Sequence, residues 1–199
     1  SIEMKHYWYF ASTLTSFPFG SPPPVSVQAF DELCSRMIDK SDLEIFPCIE
    51  EARNGRFSES MKKSAFLMSY FEFERGLRNA LVVFRTRASK QDASQWMRPG
   101  DINPDSLKAA QAAQAASDPL QAEFAIERER WNAVERLSAL SAFELDYILA
   151  YKMKLLIASR YASFDRNRGM QGFNILYQDI VNAAAAVDAA SAFDTGVAT

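Results

Sequence analysis

The stretch from 141 to 165, SAFELDYILAYKMKLLIASRYASFD, limits the possible folds more than any other, because it starts like a helix and has almost no polar side. Ser141 followed three residues later by Glu144 is a capping box. At roughly 100° per residue, Phe143, Tyr147, Ala150, Ile157 and Tyr161 fall on one side of that helix. Leu145, Ile148, Leu155 and Leu156 fall on or near the other. Such a helix has to be covered on two sides. Lys154 lies inside the first stripe, so its charge needs a partner or a route to water.

Composition supplies the material for that cover. Of 199 residues, 48% are hydrophobic and 13% aromatic, enough for a core in one domain or two small ones. The net charge of -3 provides no basic field to hold a phosphate backbone, which argues against nucleic acid as a partner. The two cysteines, Cys34 and Cys48, form no CxxC, and a chain of this size needs no staple, so reduced thiols in a cytoplasmic setting are expected. No window reaches the roughly 18 uncharged apolar residues of a membrane span. Ser1–Phe10 carries charge where a signal peptide would be apolar. The expectation is a soluble chain that meets a membrane only through partners.

Start and stop signals divide the chain into helices. The aromatic run Tyr7–Ala11 reads as a short strand or extended piece covering a core edge, and Pro22–Pro24 holds the backbone in a polyproline-like form. Ser26 opens a helix to about Lys40; Ser41 with Glu44 opens a second to about Arg53, ended by Asn54-Gly55. Ser58 opens the longest, to about Lys90. Asn103-Pro104 and Asp118-Pro119 are cap-plus-proline starts, the second helix reaching about Leu137. Residues 109–117, rich in alanine, should be helical but lightly packed, with little side chain to bury. A last helix is expected over 168–188, before a frayed tail. The fold class is therefore all-α: an elongated bundle of about six to seven antiparallel helices with a short extended N-terminal segment. It forms a single domain over 1–199, or two helical layers meeting near 92–103, where QWMRPGD marks a boundary.

Catalytic motifs are sparse. His6 is the single histidine, which removes HExxH zinc sites, histidine triads and Glu-x-x-His di-iron pairs. There is no GxxxxGK[ST] and no GxGxxG; the GxxG at Gly169–Gly172 lacks the strands of a nucleic-acid module and reads as a helix start or turn. No cofactor or metal is implied. Glu123, Glu127, Glu129 and Glu135 are interleaved with Arg128, Arg130 and Arg136, the pattern of a solvated, ion-paired face. Glu127 is the exception, since it falls within the stripe of Leu120, Phe124, Trp131 and Val134 and must be buried with a cation or face an interface. On the long helix Phe66, Tyr70, Phe73, Leu77, Ala80 and Phe84 form a core stripe. Glu72, Arg75 and Asn79 cluster on the opposite side, flanked by Val82, Val83 and Thr86, as either a second packing surface or plain surface. Because Glu127 and Lys154 both lie in stripes that need covering, one of them is expected to pair with the other or with Arg75.

Three blocks carry a resemblance: HYWYFASTLTSFPFGSPPPVSVQAFDELC, DPLQAEFAIERERWNAVERL and LDYILAYKMKLLIASRYASFDRNRG. They are similar to an uncharacterised bacterial family that accompanies the subunits of V-type (A/V-type) ATPases and resembles their central-stalk C-type subunit, the counterpart of the eukaryotic d-type subunit. The shared features are the aromatic start with its proline loop, the spacing of Ala122, Glu123, Arg130 and Trp131, and Tyr151–Lys154 ahead of Phe164-Asp165. GLRNALVVFRTRASK is similar to an Asp-x-x-Asn-Leu-x-x-x-x-Arg pattern of that stalk protein through Asn79 and Arg85, with Gly76 and Ala80 departing from it. The resemblance implies an all-α fold and a non-catalytic role joining the rotor shaft to the membrane ring. The chain would be cytoplasmic, peripheral to the inner membrane through the complex, with other V-type ATPase subunits as partners. A helix over 59–90 would span about 48 Å, and the 141–164 helix would lie between it and the 119–137 helix. The rival readings are a helical adaptor unrelated to ion transport and an enzyme hidden in a helical fold.

Overall fold

The structure, a computed structural model, describes residues 7–141 and 144–164. The chain divides into two compact units, Ser1–Tyr161 and Ala162–Thr199. Of the second, 162–164 are described, as helix. His6, the GxxG turn, the helix expected over 168–188 and the tail lie outside the described residues. Among those described, the first unit is all-helical and contains no strand. Its helices are α1 (Trp8–Thr13), α2 (Val27–Met37), α3 (Lys40–Leu43), α4 (Pro47–Arg53), α5 (Ala65–Ser89), α6 (Pro104–Gln114) and α7 (Pro119–Ser138). An eighth, α8, covers 145–164.

Several starts follow the capping signals directly. The side chains of Ser26, Asn103 and Asp118 accept from the backbone N–H of Ala29, Ser106 and Gln121, with Pro104 and Pro119 in first turns where no N–H is needed. α4 stops in a Schellman motif: the Arg56 N–H donates to Glu51 O (2.8 Å) and the Gly55 N–H to Ala52 O (3.0 Å), with Gly55 at φ 61. α5 ends in the same way, except that Lys90, not glycine, takes the left-handed position at φ 55.

Elsewhere tertiary contacts or further local rules decide. Tyr7–Ala11, expected as a strand or extended piece, instead opens α1. Phe10 is buried and stacks on Phe30 with centroids 6.0 Å apart, while the Tyr7 hydroxyl donates to Asp42. Aromatic residues favour strands only where a sheet exists to pair with. α2 stops at Met37, short of Lys40. The single helix expected over 41–53 is two, because Pro47 brings no N–H and its ring clashes with the carbonyl one turn back. Ser58 caps no α-helix; a 3-10 turn over Glu59–Lys63 follows it, and Ser64 caps α5 by accepting from the Leu67 N–H. Asp146 of α8 completes that cap, accepting from the Ser64 hydroxyl and the Phe66 N–H, where a carboxylate meets the positive end of the helix. α5 thus spans about 37 Å. α8 begins four residues after Ser141, whose carbonyl accepts from the Glu144 N–H (3.1 Å).

The alanine stretch differs most from expectation. Ala109 and Ala110 are completely buried and Ala113 nearly so. The small side chains let α6 approach α5 closely: a Cβ placed on Gly76 would stand 2.6 Å from Ser106 Oγ, and that hydroxyl donates to Phe73 O at 2.7 Å. Alanine buries little area itself, but it allows the neighbouring helices to bury theirs.

The middle of α8 is buried all round, as its pattern requires: Ile148, Leu149, Ala150 and Tyr151 make a complete turn and every one is in the core, while Ser159 and Arg160 nearer its end are exposed. α5 meets it through Asp146. α7 meets it at Phe124–Tyr161 (5.0 Å), α2 at Phe30–Tyr151 (5.3 Å), and the loop before α2 at Phe17–Tyr151 (5.8 Å). The sequence pointed to α5 and α7; α2 and the aromatic loop complete the cover.

Candidate functional site

Five charges alternate across three helices. Glu74 of α5 is fully buried within the core stripe, four residues after Tyr70. Its Oε1 accepts from Arg78 Nε (2.9 Å) and Arg130 Nη2 (2.7 Å), and its Oε2 accepts from Arg130 Nε (2.9 Å). Glu127 of α7, 1% exposed, accepts from Arg130 Nη1 at 2.7 Å and faces Arg160 Nε of α8 at 3.2 Å. The order is Arg78, Glu74, Arg130, Glu127, Arg160, so each inner charge has an opposite charge on both sides. Burial opposes the Arg130 charge, but Glu74 outweighs it and holds the guanidinium protonated above its ordinary range. Tyr70 lies beside this ladder with its hydroxyl buried and unpartnered; burial first, then Glu74, raises its ionisation above the usual phenol range. These carboxylates are saturated by guanidinia, with no nucleophile between them, so the arrangement is suited to fixing three helices rather than to moving protons.

A second polar knot joins α5 to the 90–103 connection, which lies within the first unit. The buried Asn79 amide donates to Arg98 O (2.9 Å) and accepts from the Arg98 N–H (2.9 Å). Arg98 Nη1 in turn donates to Gly55 O and to Asn54 O (3.3 Å), and Arg78 Nη2 to Arg53 O (3.0 Å), so two cations meet the carbonyl end of α4. Arg75 lies 5.3 Å from the Phe71 ring centroid, with Gly100 also close against it.

The six polar residues singled out from sequence therefore separate. Glu127 and Asn79 are buried and bonded, Arg75 is half-buried, and Glu72 and Arg85 are exposed. Lys154 sits 5.1 Å from the Trp131 ring and bonds Glu135 at 3.0 Å. The expected pairing of Glu127 with Lys154, or of either with Arg75, does not occur. Helical phase gives the side on which a residue lies but not its height along the neighbouring helix, and Arg130, three residues on, reaches Glu127 first. Sequence reasoning missed Glu74 and Arg130 as site residues. Both carry a signal: Glu74 sits at the spacing of the aromatic stripe, one turn before Arg78, and Arg130 one turn after Glu127.

A shallow depression is lined by Ser16, Phe17, Ser138, Tyr147, Ala150, Tyr151 and Lys154. Its one charged group, Lys154, is committed to Glu135. Cys34 and Cys48 are buried free thiols. Among the described residues no cluster of His, Cys, Asp or Glu could hold a metal ion, and no helix is long and apolar enough to cross a membrane.

Residues 105–184 match a family model described as a protein of unknown function (DUF2764), a stretch that opens in α6 and takes in all of α7 and α8. No curated protein and no solved structure matches the chain. In sequence, the chain is similar over that stretch to this family of unknown function.

Proposed function

We propose that the chain is a non-catalytic, all-helical subunit or accessory factor of a V-type ATPase, acting as a stiff adaptor akin to the C-type subunit of the central stalk and reaching the membrane only through other subunits. The observation that supports this most is the convergence of the three sequence blocks that resemble that family. The aromatic-proline block, α7 and α8 pack on one another through Phe17–Trp131 (5.2 Å), Phe19–Tyr161 (4.8 Å) and the Tyr151 hydroxyl donating to Thr15 O (2.9 Å). The resemblance thus falls on one physical unit rather than on scattered surface. The charge ladder stiffens the same unit, as an adaptor that transmits torque requires.

The test is purification of the tagged full-length chain from gently solubilised membranes of its own cells, followed by native mass spectrometry. The expected result is a stoichiometric assembly with ATPase shaft or ring subunits. A chain recovered without any ATPase subunit would overturn the reading. The purified chain should also show no saturable ATP hydrolysis; turnover abolished by a point substitution in this chain would make it an enzyme. One observation favours a free-standing adaptor as the second reading: Tyr9, Phe57 and Trp96 are at least half exposed, and such aromatics suit a partner of any kind. Recovery with a partner from outside the ATPase would favour it.

A further inference from the structure

Arg75 is held in place without a counter-charge. Arg53 pairs with Glu50, Arg78 and Arg130 with Glu74, and Arg98 donates to the carbonyls that end α4. Arg75 makes no hydrogen bond or ion pair among the described residues, and its Nε is buried with no acceptor. Yet the side chain is closely confined. The Phe71 ring centroid lies 5.3 Å away, and Gly100, at φ 129, presses so near that a Cβ there would stand 2.3 Å from Arg75 Cζ. Only glycine leaves room for the guanidinium at that point. Phe57, 50% exposed, continues the apolar surface, its ring 5.8 Å from Phe71.

We propose that Arg75 and Phe57 form a docking site for a partner protein that sets a carboxylate against the Arg75 guanidinium and an apolar side chain against Phe57. Charge complementarity identifies the occupant. Arg78 and Arg98, which border the site at Gly55, and Lys62, 5.8 Å from the Phe57 ring centroid and paired with Glu59, are already committed, whereas Arg75 is confined with no counter-charge, matching one carboxylate. A nucleic acid would need a row of free cations, and the chain carries a net charge of -3. Because the fold already confines Arg75, a partner would lose little side-chain entropy in engaging it. The site is independent of which assembly the chain joins.

The experiment places photoreactive p-benzoyl-phenylalanine at position 57 of the full chain in its own cells and identifies the linked peptide by mass spectrometry. The expected product is a different protein linked within a helical turn of an Asp or Glu. Arg75→Gln should lower the yield at least about tenfold while keeping the helical circular dichroism unchanged, and reversing the partner's acid should rescue Arg75→Glu. Undiminished linking in Arg75→Gln would overturn the proposal, as would linking to nucleic acid, lipid or a second copy of this chain. Failure of Arg75→Gln to fold would also overturn it, by giving the guanidinium an internal role.

Discussion

Among single residues, the ladder sets an order of costs that neither burial nor contact distance would give alone. Deleting Arg130 leaves two buried carboxylates facing each other, and deleting Glu74 leaves Arg130 with Glu127 only. Arg130→Ala and Glu74→Ala should each destabilise by about 3–5 kcal/mol. Glu127→Ala leaves Arg130 still doubly bonded to Glu74, so its cost should be smaller, about 1–3 kcal/mol. Urea melts of the three variants check the order; equal losses would show that the charges do not act as a chain. Cys34 makes a pH prediction. Burial first, then Asp31, pushes its thiol up from an ordinary value of 9.0 to about 12, with Lys152 pulling the other way. The folded state therefore keeps the proton longer than the unfolded state does. The stability this brings is complete below about pH 9 and lost as the pH rises from about 9 to about 12. Alkylation of Cys34 at pH 8 should accordingly be far slower in the folded protein than in urea, as a timed thiol-labelling series would read.

Among the helices, α6 shows how a weakly hydrophobic sequence can occupy a central place. The crossing of α5 and α6 depends on Gly76, since a methyl there meets Ser106 Oγ at 2.6 Å and Ser106 Cβ at 3.0 Å. Gly76→Ala should cost about 1–3 kcal/mol despite its better helix propensity, measured by thermal melts. The same packing predicts slow amide exchange across 109–113, approaching that of the α5 interior, where loosely packed alanines would exchange fast. Helix starts are the most legible part of the chain. Ser26, Asn103 and Asp118 cap where their spacing says, because a cap and the N–H it satisfies lie three residues apart and need nothing distant. The start that Ser41 and Glu44 signal is not used, α3 opening at Lys40 after Asp39, and α5 opens six residues beyond the start that Ser58 signals, because Ser58 and Ser64 look alike locally. Asp146, some eighty residues away in sequence, distinguishes them.

Across the whole molecule, the described core and the whole ladder lie within Ser1–Tyr161. A chain ended after residue 164 should therefore fold alone and unfold in one cooperative urea transition, seen alike by circular dichroism and tryptophan fluorescence. Non-coincident transitions would show that this unit is not self-sufficient. The helical class, most helix starts and the need for cover around α8 are written in the residues themselves, because capping and periodicity are local and are read within a few turns. The same periodicity marks Glu127 as a residue requiring a partner and places Asn79 on the side of the long helix opposite its core stripe. Packing alone selects those partners, puts Glu74 and Arg130 at the centre of the ladder, and buries the alanines of α6 instead of leaving them peripheral. Each of these outcomes depends on the height at which one helix crosses another. That height is set by the packing of the entire core, and no single segment encodes it.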